Sequence, residues 1–260
     1  MSAIDSKHLV KTAARTLDVF EVFAEARAPL TLSDLARRLD IPLSSCHALV
    51  RTLQRRGYLY VFDRQRLIYP TRRLAEVART IVANDPVLER IGPFLEQLRD
   101  ATGETVLLGK REGDVVRYLD VVEGTHTIRY TAAPGEAKPL HSSAIGKCLL
   151  GALPQAACAA LLARLPLPEV TASTLTSASA LQDDLCVSRA RGYFATRGEN
   201  VADVMALAVE RTLAGDSFGI ALAGPITRMT RHEDAYAARL IAIADALAGA
   251  PDRAAADEAP

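Results

Sequence analysis

The first thing this chain lacks is net charge: 31 Lys and Arg face 31 Asp and Glu over 260 residues. It also lacks any apolar run near the ~18 residues a helix needs to cross a bilayer, so no membrane partner is expected. Residues 1–11 carry Asp5, Lys7, His8 and Lys11 without an apolar core segment and do not read as a secretory signal. Cys46, Cys148, Cys158 and Cys186 lie far apart and form no CxxC pair, which argues against a disulfide scaffold or zinc ribbon and suits a reducing cytoplasm. The five histidines, His8, His47, His126, His141 and His232, have no metal-ligand spacing, so neither metal nor other cofactor is expected. No repeat period appears. What remains is an ordinary globular composition, 49% hydrophobic, too apolar for a disordered chain and long enough for one large domain or two modest ones.

The zero balance conceals an asymmetry. Residues 1–83 hold 14 basic and 8 acidic side chains, a net of +6, which leaves −6 for the remainder. A cationic module favours a polyanion through counterion release, and an anionic one is held away from it. The alternative is a chance split of solvated surface charge.

The order of residues in the first module favours the polyanion. Val10, Ala13, Ala14, Leu17, Phe20 and Ala24 repeat at helical spacing and predict a helix over 11–25. Thr31 precedes Asp34 by three, a capping-box start for a short second helix whose buried stripe is Leu32, Leu35, Ala36 and Leu39. Asp40-Ile41-Pro42 interrupts it, because a residue before proline disfavours helix. Ser44 or Ser45 can cap a third helix, with Cys46, Leu49, Val50 and Leu53 as its core stripe and Gly57 as its stop. The opposite face holds Ser44, Ala48, Arg51 and Arg55, flanked by His47 and Thr52. Small hydroxyls permit close approach to a major groove, and guanidinium forks reach phosphates or guanine edges. Two short helices joined by about four residues make a helix-turn-helix. The runs 58–62 and 67–69 around Asp63-Arg-Gln-Arg66 read as a hairpin whose tip, with Arg64 and Arg66, forms a wing able to touch phosphates or the minor groove.

Residues 72–84 read as a linker helix, so the expected division is 9–71 for the DNA-binding domain, 85–250 for a second domain and 251–260 for a frayed tail. The second domain begins with a helix over 87–98. Strands follow at 105–109, 115–122 and 127–132, then helices at 142–150, 154–165 and 178–191. Strands return at 192–196, 204–211 and 218–223 before a last helix over 232–247. This order implies an α+β domain. In Gly135-Glu-Ala-Lys-Pro-Leu-His-Ser-Ser-Ala-Ile-Gly-Lys147 a loop runs into a helix at Ser142 or Ser143, whose first turn, Ser143 to Gly146, can hold a carboxylate on free N–H groups. His141 beside Ser142 suggests a nucleophile and base only on paper, since neighbours at a helix start do not point at each other and no orienting group is apparent. Gly146-Lys147 fails as a P-loop: the upstream glycine is Gly135 and Cys148 replaces Ser/Thr.

On Thr31-Leu-Ser-Asp-Leu-Ala36, Ile41-Pro-Leu-Ser-Ser45, Leu53-Gln-Arg-Arg-Gly-Tyr58, Pro139-Leu-His-Ser-Ser-Ala-Ile-Gly-Lys147, Arg191-Gly-Tyr193 and Gly224-Pro225, the chain resembles an IclR-family transcriptional regulator over nearly its whole length. The resemblance implies an N-terminal winged helix-turn-helix and a C-terminal GAF-like effector-binding domain with a central antiparallel sheet. It also implies a homodimer or dimer of dimers on near-palindromic double-stranded operator DNA, and a small organic effector. By motif position, Ala144 and Ile145 would offer backbone contacts to the effector, within a site of Ser142, Ser143, Ala144, Ile145, Gly146, Met205, Ala221 and Ala223. Where the family often has Lys and Arg in the recognition helix, this chain has Leu43 and Ala48, which moves base readout to Ser44, Ser45, His47 and Arg51. Where the family cleft often carries Cys and Ser, this chain has Met205 or Ala206, with Ala221 and Ala223, which favours a carboxylate with an apolar or aromatic body. The alternative is a sensor or hydrolase-like enzyme whose helix-turn-helix serves protein contacts.

Overall fold

The computed structural model describes residues 10–62, 66–213 and 215–249, which fall into two compact units, one ending at Pro86 and the other beginning at Val87. The expected tail 251–260 lies outside the described residues.

The first unit opens with α1 (Lys11–Ala26), α2 (Leu32–Arg38) and α3 (Leu43–Arg55). The capping box of α2 forms, with the Asp34 N–H donating to Thr31 Oγ1 at 3.1 Å. The helix stops because Asp40 adopts φ +50° and the Ile41 N–H reaches back to Ala36 O at 3.1 Å, which turns the buried Ile41 into the core. The expected serine cap of α3 is corrected: Pro42 is the N-cap, without a side-chain bond, and Ser44 and Ser45 lie in the first turn. Proline fixes φ before a helix and loses no needed hydrogen bond there, so no hydroxyl cap is required. Gly57, at φ +77°, ends α3 with two bonds, its own N–H to Gln54 O and that of Tyr58 to Leu53 O. Strands β1 (Leu59–Phe62) and β2 (Leu67–Pro70) pair antiparallel, and Leu30 adds a bridge to Ile68. Val19, Phe23, Leu35, Cys46, Val50, Leu53, Leu59 and Ile68 form the core. Helix α4 (Arg73–Val82) follows.

The second unit is a GAF-like α+β domain on an antiparallel sheet. It contains α5 (Pro86–Thr102), β3 (Thr105–Glu112), β4 (Val115–Val122), β5 (Ala137–Pro139), α6 (Ala144–Ala152), α7 (Gln155–Leu162) and α8 (Ala178–Arg191). Then come β6 (Phe194–Arg197), β7 (Val204–Leu213), β8 (Asp216–Pro225), α9 (Ile226–Arg231) and α10 (Glu233–Gly249). Strand order is β5-β4-β3-β8-β7-β6. The expected strand over 127–132 is corrected. That segment is irregular, and Ala137–Pro139 takes the edge beside β4 instead. Thr105 Oγ1 donates to Tyr130 O, which holds the segment back toward the start of β3 rather than along β4. The short helix α9 was not expected from the sequence.

Period-two alternation divides the sheet residues between its two faces. Val106, Leu108, Met205, Leu207, Val209, Phe218, Ile220 and Leu222 pack against α5, α9 and α10. The other face offers Leu107, Ala208, Ala221 and Ala223 to α6, α7 and α8. Gly109 and Gly219 also lie under α6, where an added Cβ would meet Ile145 at 3.2 and 2.5 Å. Small residues here let α6 press onto the sheet. Each fully buried leucine contributes roughly 1.5–3 kcal/mol on either side.

Candidate DNA-binding face and effector cavity

Helix α3 carries no Asp or Glu. Of the expected reading residues, Ser44, His47, Arg51 and Arg55 are exposed on its outer side, and Arg66 is exposed at the near end of the hairpin. Arg64 lies outside the described residues. Ser45 is half-buried, and Ser45 and Thr52 turn toward a groove of about 660 Å³ beside α1, lined also by Thr12, Arg15, Thr16 and Phe20. Thr52 Oγ1 donates to Ala48 O at 2.9 Å, so its hydroxyl proton is already committed to its own helix.

In the second unit a tight cavity of about 30 Å³ lies over the Ala-rich face of the sheet, lined by Leu107, Tyr118, Tyr130, Ser143, Ala144, Thr196, Asn200, Val201, Val204, Ala206 and Ala223. That is room for about one or two waters. None of the lining side chains is charged. Ser143 is the N-cap of α6: its Oγ accepts from the Gly146 N–H at 3.1 Å and donates to Pro139 O at 2.7 Å. The N–H groups of Ala144 and Ile145 belong to the same first turn, where backbone donors lack intrahelical partners.

Ser143, Ala144 and Ala223 therefore stand at the cavity. Ser142 is one step removed, its Oγ accepting from Asn200 Nδ2 at 3.1 Å. The side chain of Ile145 lies against Gly109 and Gly219, and Gly146 abuts the Leu140 backbone. Ala221 shares the cavity's face but lies in the packed core beneath it. Met205 is corrected: its side chain is on the opposite face, in the core with Ile220 and Leu222, where Thr230 Oγ1 donates to its Sδ at 3.6 Å. Its neighbour Ala206 faces the cavity, because successive residues of a strand alternate sides. The sequence reading missed Leu107, Tyr118, Tyr130, Thr196, Asn200, Val201 and Val204. Alternation in β7 carried the signal for Ala206 and Val204, and that in β4 for Tyr118.

Two phenols, Tyr118 and Tyr130, line the cavity. Burial pushes the Tyr118 hydroxyl well above its usual pKa, helped by Tyr130, so it stays protonated and can donate. Burial works against the Lys138 ammonium, but Glu136 at 2.8 Å and the Tyr130 phenol outweigh it and hold its pKa above the usual range. Lys138 Nζ lies 6.0 Å from the Tyr118 ring centroid, which places positive charge just behind the phenols.

His141 and Ser142 face different partners. His141 Nε2 donates to Pro168 O at 2.9 Å, while the Ser142 hydroxyl meets Asn200. Burial lowers the His141 pKa, with Lys147 adding to the effect against the Pro168 bond. Among the described residues no His, Cys, Asp and Glu cluster could hold a metal ion. No helix among them is long and apolar enough to cross a membrane.

Residues 12–61 match the IclR helix-turn-helix domain, and residues 79–249 match the bacterial transcriptional regulator IclR C-terminal domain. The chain belongs to the IclR family of transcriptional regulators. A relative, the HTH-type transcriptional regulator BhcR of Paracoccus denitrificans, is 32% identical over 240 residues, covering 92% of this chain and 84% of its own. The crystal structure of the Thermotoga maritima IclR superposes with a TM-score of 0.79 at 21% identity, over 92% of this chain and 98% of that one. An IclR homolog from Microbacterium hydrocarbonoxydans, solved in complex with 4-hydroxybenzoate, superposes at 0.73 and 24% identity, over 94% and 99%. The IclR fold thus joins a winged helix-turn-helix to an effector-binding domain in this chain.

Proposed function

We propose that this IclR-family regulator binds near-palindromic operator DNA as a dimer or dimer of dimers and responds to a small carboxylate with an apolar or aromatic body. The outer face of α3 carries the first half of the reading. Ser44, His47, Arg51 and Arg55 are exposed on a helix without a carboxylate, so nothing on that helix repels phosphate. Each protomer inserts α3 into one major groove, and two-fold symmetry sets the half-site spacing. Arg51 reads base edges with Ser44 and His47, while Arg55, Arg64 and Arg66 hold the backbone; Ser45 and Thr52, turned toward the groove beside α1, help seat the helix rather than read bases.

Self-association is supported by α4. It has no buried residue, and Leu74, Val77, Ile81 and Val82 are exposed along it. Such an apolar stripe fits a second copy better than water. We assign 9–71 to DNA binding, 72–84 to the linker and 85–250 to effector binding.

The effector half rests on the cavity. Apolar walls, two phenols and the first turn of α6 suit a flat acid whose carboxylate meets the N–H groups of Ala144 and Ile145. A hydroxyl at its far end would meet Tyr118 and Tyr130. The IclR homolog in complex with 4-hydroxybenzoate makes hydroxybenzoates the first compounds to try. The chemistry required is binding, not turnover. Two measurements test the reading. Fluorescence anisotropy with the chain's own upstream duplex should show a steep loss of affinity with salt, and salt-insensitive binding overturns the DNA half. A thermal-shift screen of small carboxylic acids should raise the melting temperature for aromatic acids, and a flat response across the set overturns the effector half.

A further inference from the structure

Lys147 is fully buried, and neither the DNA face nor the cavity lining uses it. A buried ammonium is costly unless paired. Here it meets Glu199 Oε2 at 2.7 Å, Asp184 Oδ2 at 3.0 Å and Ala195 O at 3.4 Å. It therefore joins α6 to α8, to β6 and to residues 198–203, the loop between β6 and β7.

That loop also closes the cavity, through Asn200 and Val201. Its base is fixed. The Gly198 N–H donates to Val204 O at 2.9 Å, Thr171 Oγ1 donates to Gly198 O at 2.6 Å, and Thr174 Oγ1 donates to Glu199 O at 2.7 Å. Its tip is exposed at Val201, Ala202 and Asp203 and is held by single bonds: Asp203 O accepts from the Ile226 N–H at 2.9 Å, Val201 O accepts from the Val204 N–H at 3.0 Å, and Asn200 contributes the bond to Ser142. An organic acid cannot enter a space of about 30 Å³ unless a wall moves. The sheet and α6 are rigid walls and the Tyr130 backbone is anchored by the bond from Thr105 Oγ1, whereas the loop is held over the cavity by discrete polar bonds that can open and reclose.

We infer that Lys147 is a positioning residue for the effector site: its ion pair with Glu199 latches the 198–203 loop over the cavity and sets how readily the cavity opens. The inference rests on reading the cavity as the effector site only in its second step. The latch can be measured without ligand. Because Lys147 stands on the helix whose first turn faces the cavity, the latch ties the moving wall to the same element that meets the carboxylate.

Hydrogen exchange followed by mass spectrometry on the full-length protein tests this. In ligand-free Lys147→Met, peptides covering 198–204 should exchange at least tenfold faster than in the parent, while those in β7 and β8 keep their protection. Glu199→Gln, which keeps a hydrogen-bonding partner but loses the charge, should show a smaller acceleration in the same peptides, and it carries the test if Lys147→Met does not fold. Unchanged exchange at 198–204 overturns the latch. So does acceleration spread evenly over the loop and the sheet, because that is the signature of a purely structural lysine. With 4-hydroxybenzoate as probe, the parent should gain protection at 198–204, and Lys147→Met should release the acid at least tenfold faster. If the probe leaves 198–204 unprotected while the ligand-free acceleration is seen, the aromatic-acid reading fails and the latch stands. If it protects the loop equally well in both proteins and leaves each at the same rate, the latch does not govern access and the inference fails.

Discussion

Replacing Gly146 by alanine sets two physical effects of opposite sign against each other. Gly146 is the third residue of α6, and helix propensity favours alanine over glycine in a helix by about 1 kcal/mol. Packing says the reverse. A Cβ at this position would lie 2.1 Å from Leu140 O, 2.5 Å from its Cα and 2.6 Å from its carbonyl carbon. All three are backbone atoms, so no rotamer change gives relief. The helix and the 139–141 segment would have to part by roughly 1 Å, yet Ser143 Oγ holds Pro139 O at 2.7 Å and Leu140 is fully buried. Overpacking of this kind costs about 1–3 kcal/mol net. At about 2–4 °C per kcal/mol for a unit of this size, the C-terminal transition should fall by roughly 2–12 °C. Differential scanning calorimetry of the full-length protein measures it, and the response to an aromatic acid should weaken too, because the first turn of α6 has moved. A melting temperature that is unchanged or raised would mean that propensity wins and that the Leu140 backbone yields to the added methyl at little cost.

Arg51→Ala should cost about 1–3 kcal/mol on the preferred operator and flatten its preference over mutated sites, whereas Arg55→Ala should weaken all duplexes alike and lower the salt slope by about one. Anisotropy titrations at several salt concentrations separate the two, and identical behaviour of both variants would count against the division of roles. The folded-state pKa of His141 is depressed by burial, so below its ordinary value near 6.5 the unfolded chain takes up a proton that the native chain does not; the stability from the neutral ring is present above that pH and is lost as pH falls. The melting-temperature advantage of the parent over His141→Gln should therefore shrink between about pH 8 and about pH 5, and an advantage that grows on acidification would refute the assignment. Ile81, 66% exposed on α4, is expected to lie in the self-association surface. Sedimentation velocity of Ile81→Glu should shift toward monomer, and an unchanged distribution would move the interface elsewhere.

The N-terminal unit was legible in the sequence nearly in full, because what shapes it is local. The Thr31 cap, the turn before Pro42, the stripe of Cys46, Val50 and Leu53 and the glycine stop all lie within one or two helical turns of what they act on. Only the cap of α3 was misplaced, since a proline entry and a serine cap predict the same helix. In the second unit the longer helices and most strands followed from periodicity, and of Ser142 and Ser143, the two starts the motif offered for α6, Ser143 is the cap. Residues 127–132 alternate like a strand but do not form one, because strand propensity does not say which segment wins the free edge of β4; a bond from Thr105 to a carbonyl 25 residues later settles that.

The cavity depended still more on the fold. The motif pointed to an effector site at the start of α6, more apolar than usual for the family; that no charged side chain lines the cavity is decided by the fold. Which neighbour in Met205-Ala206 faces it turned on a one-residue register, and Tyr130, Asn200 and Val201 reach it from segments without periodic structure. Lys147 stands out in the sequence, but its partners are 37 and 52 residues away, and nothing in a linear pattern selects Asp184 and Glu199 from the other carboxylates. Short-range hydrogen bonding and hydrophobic period are written along the chain; pairings between distant charges exist only once burial has removed the water that would otherwise satisfy them.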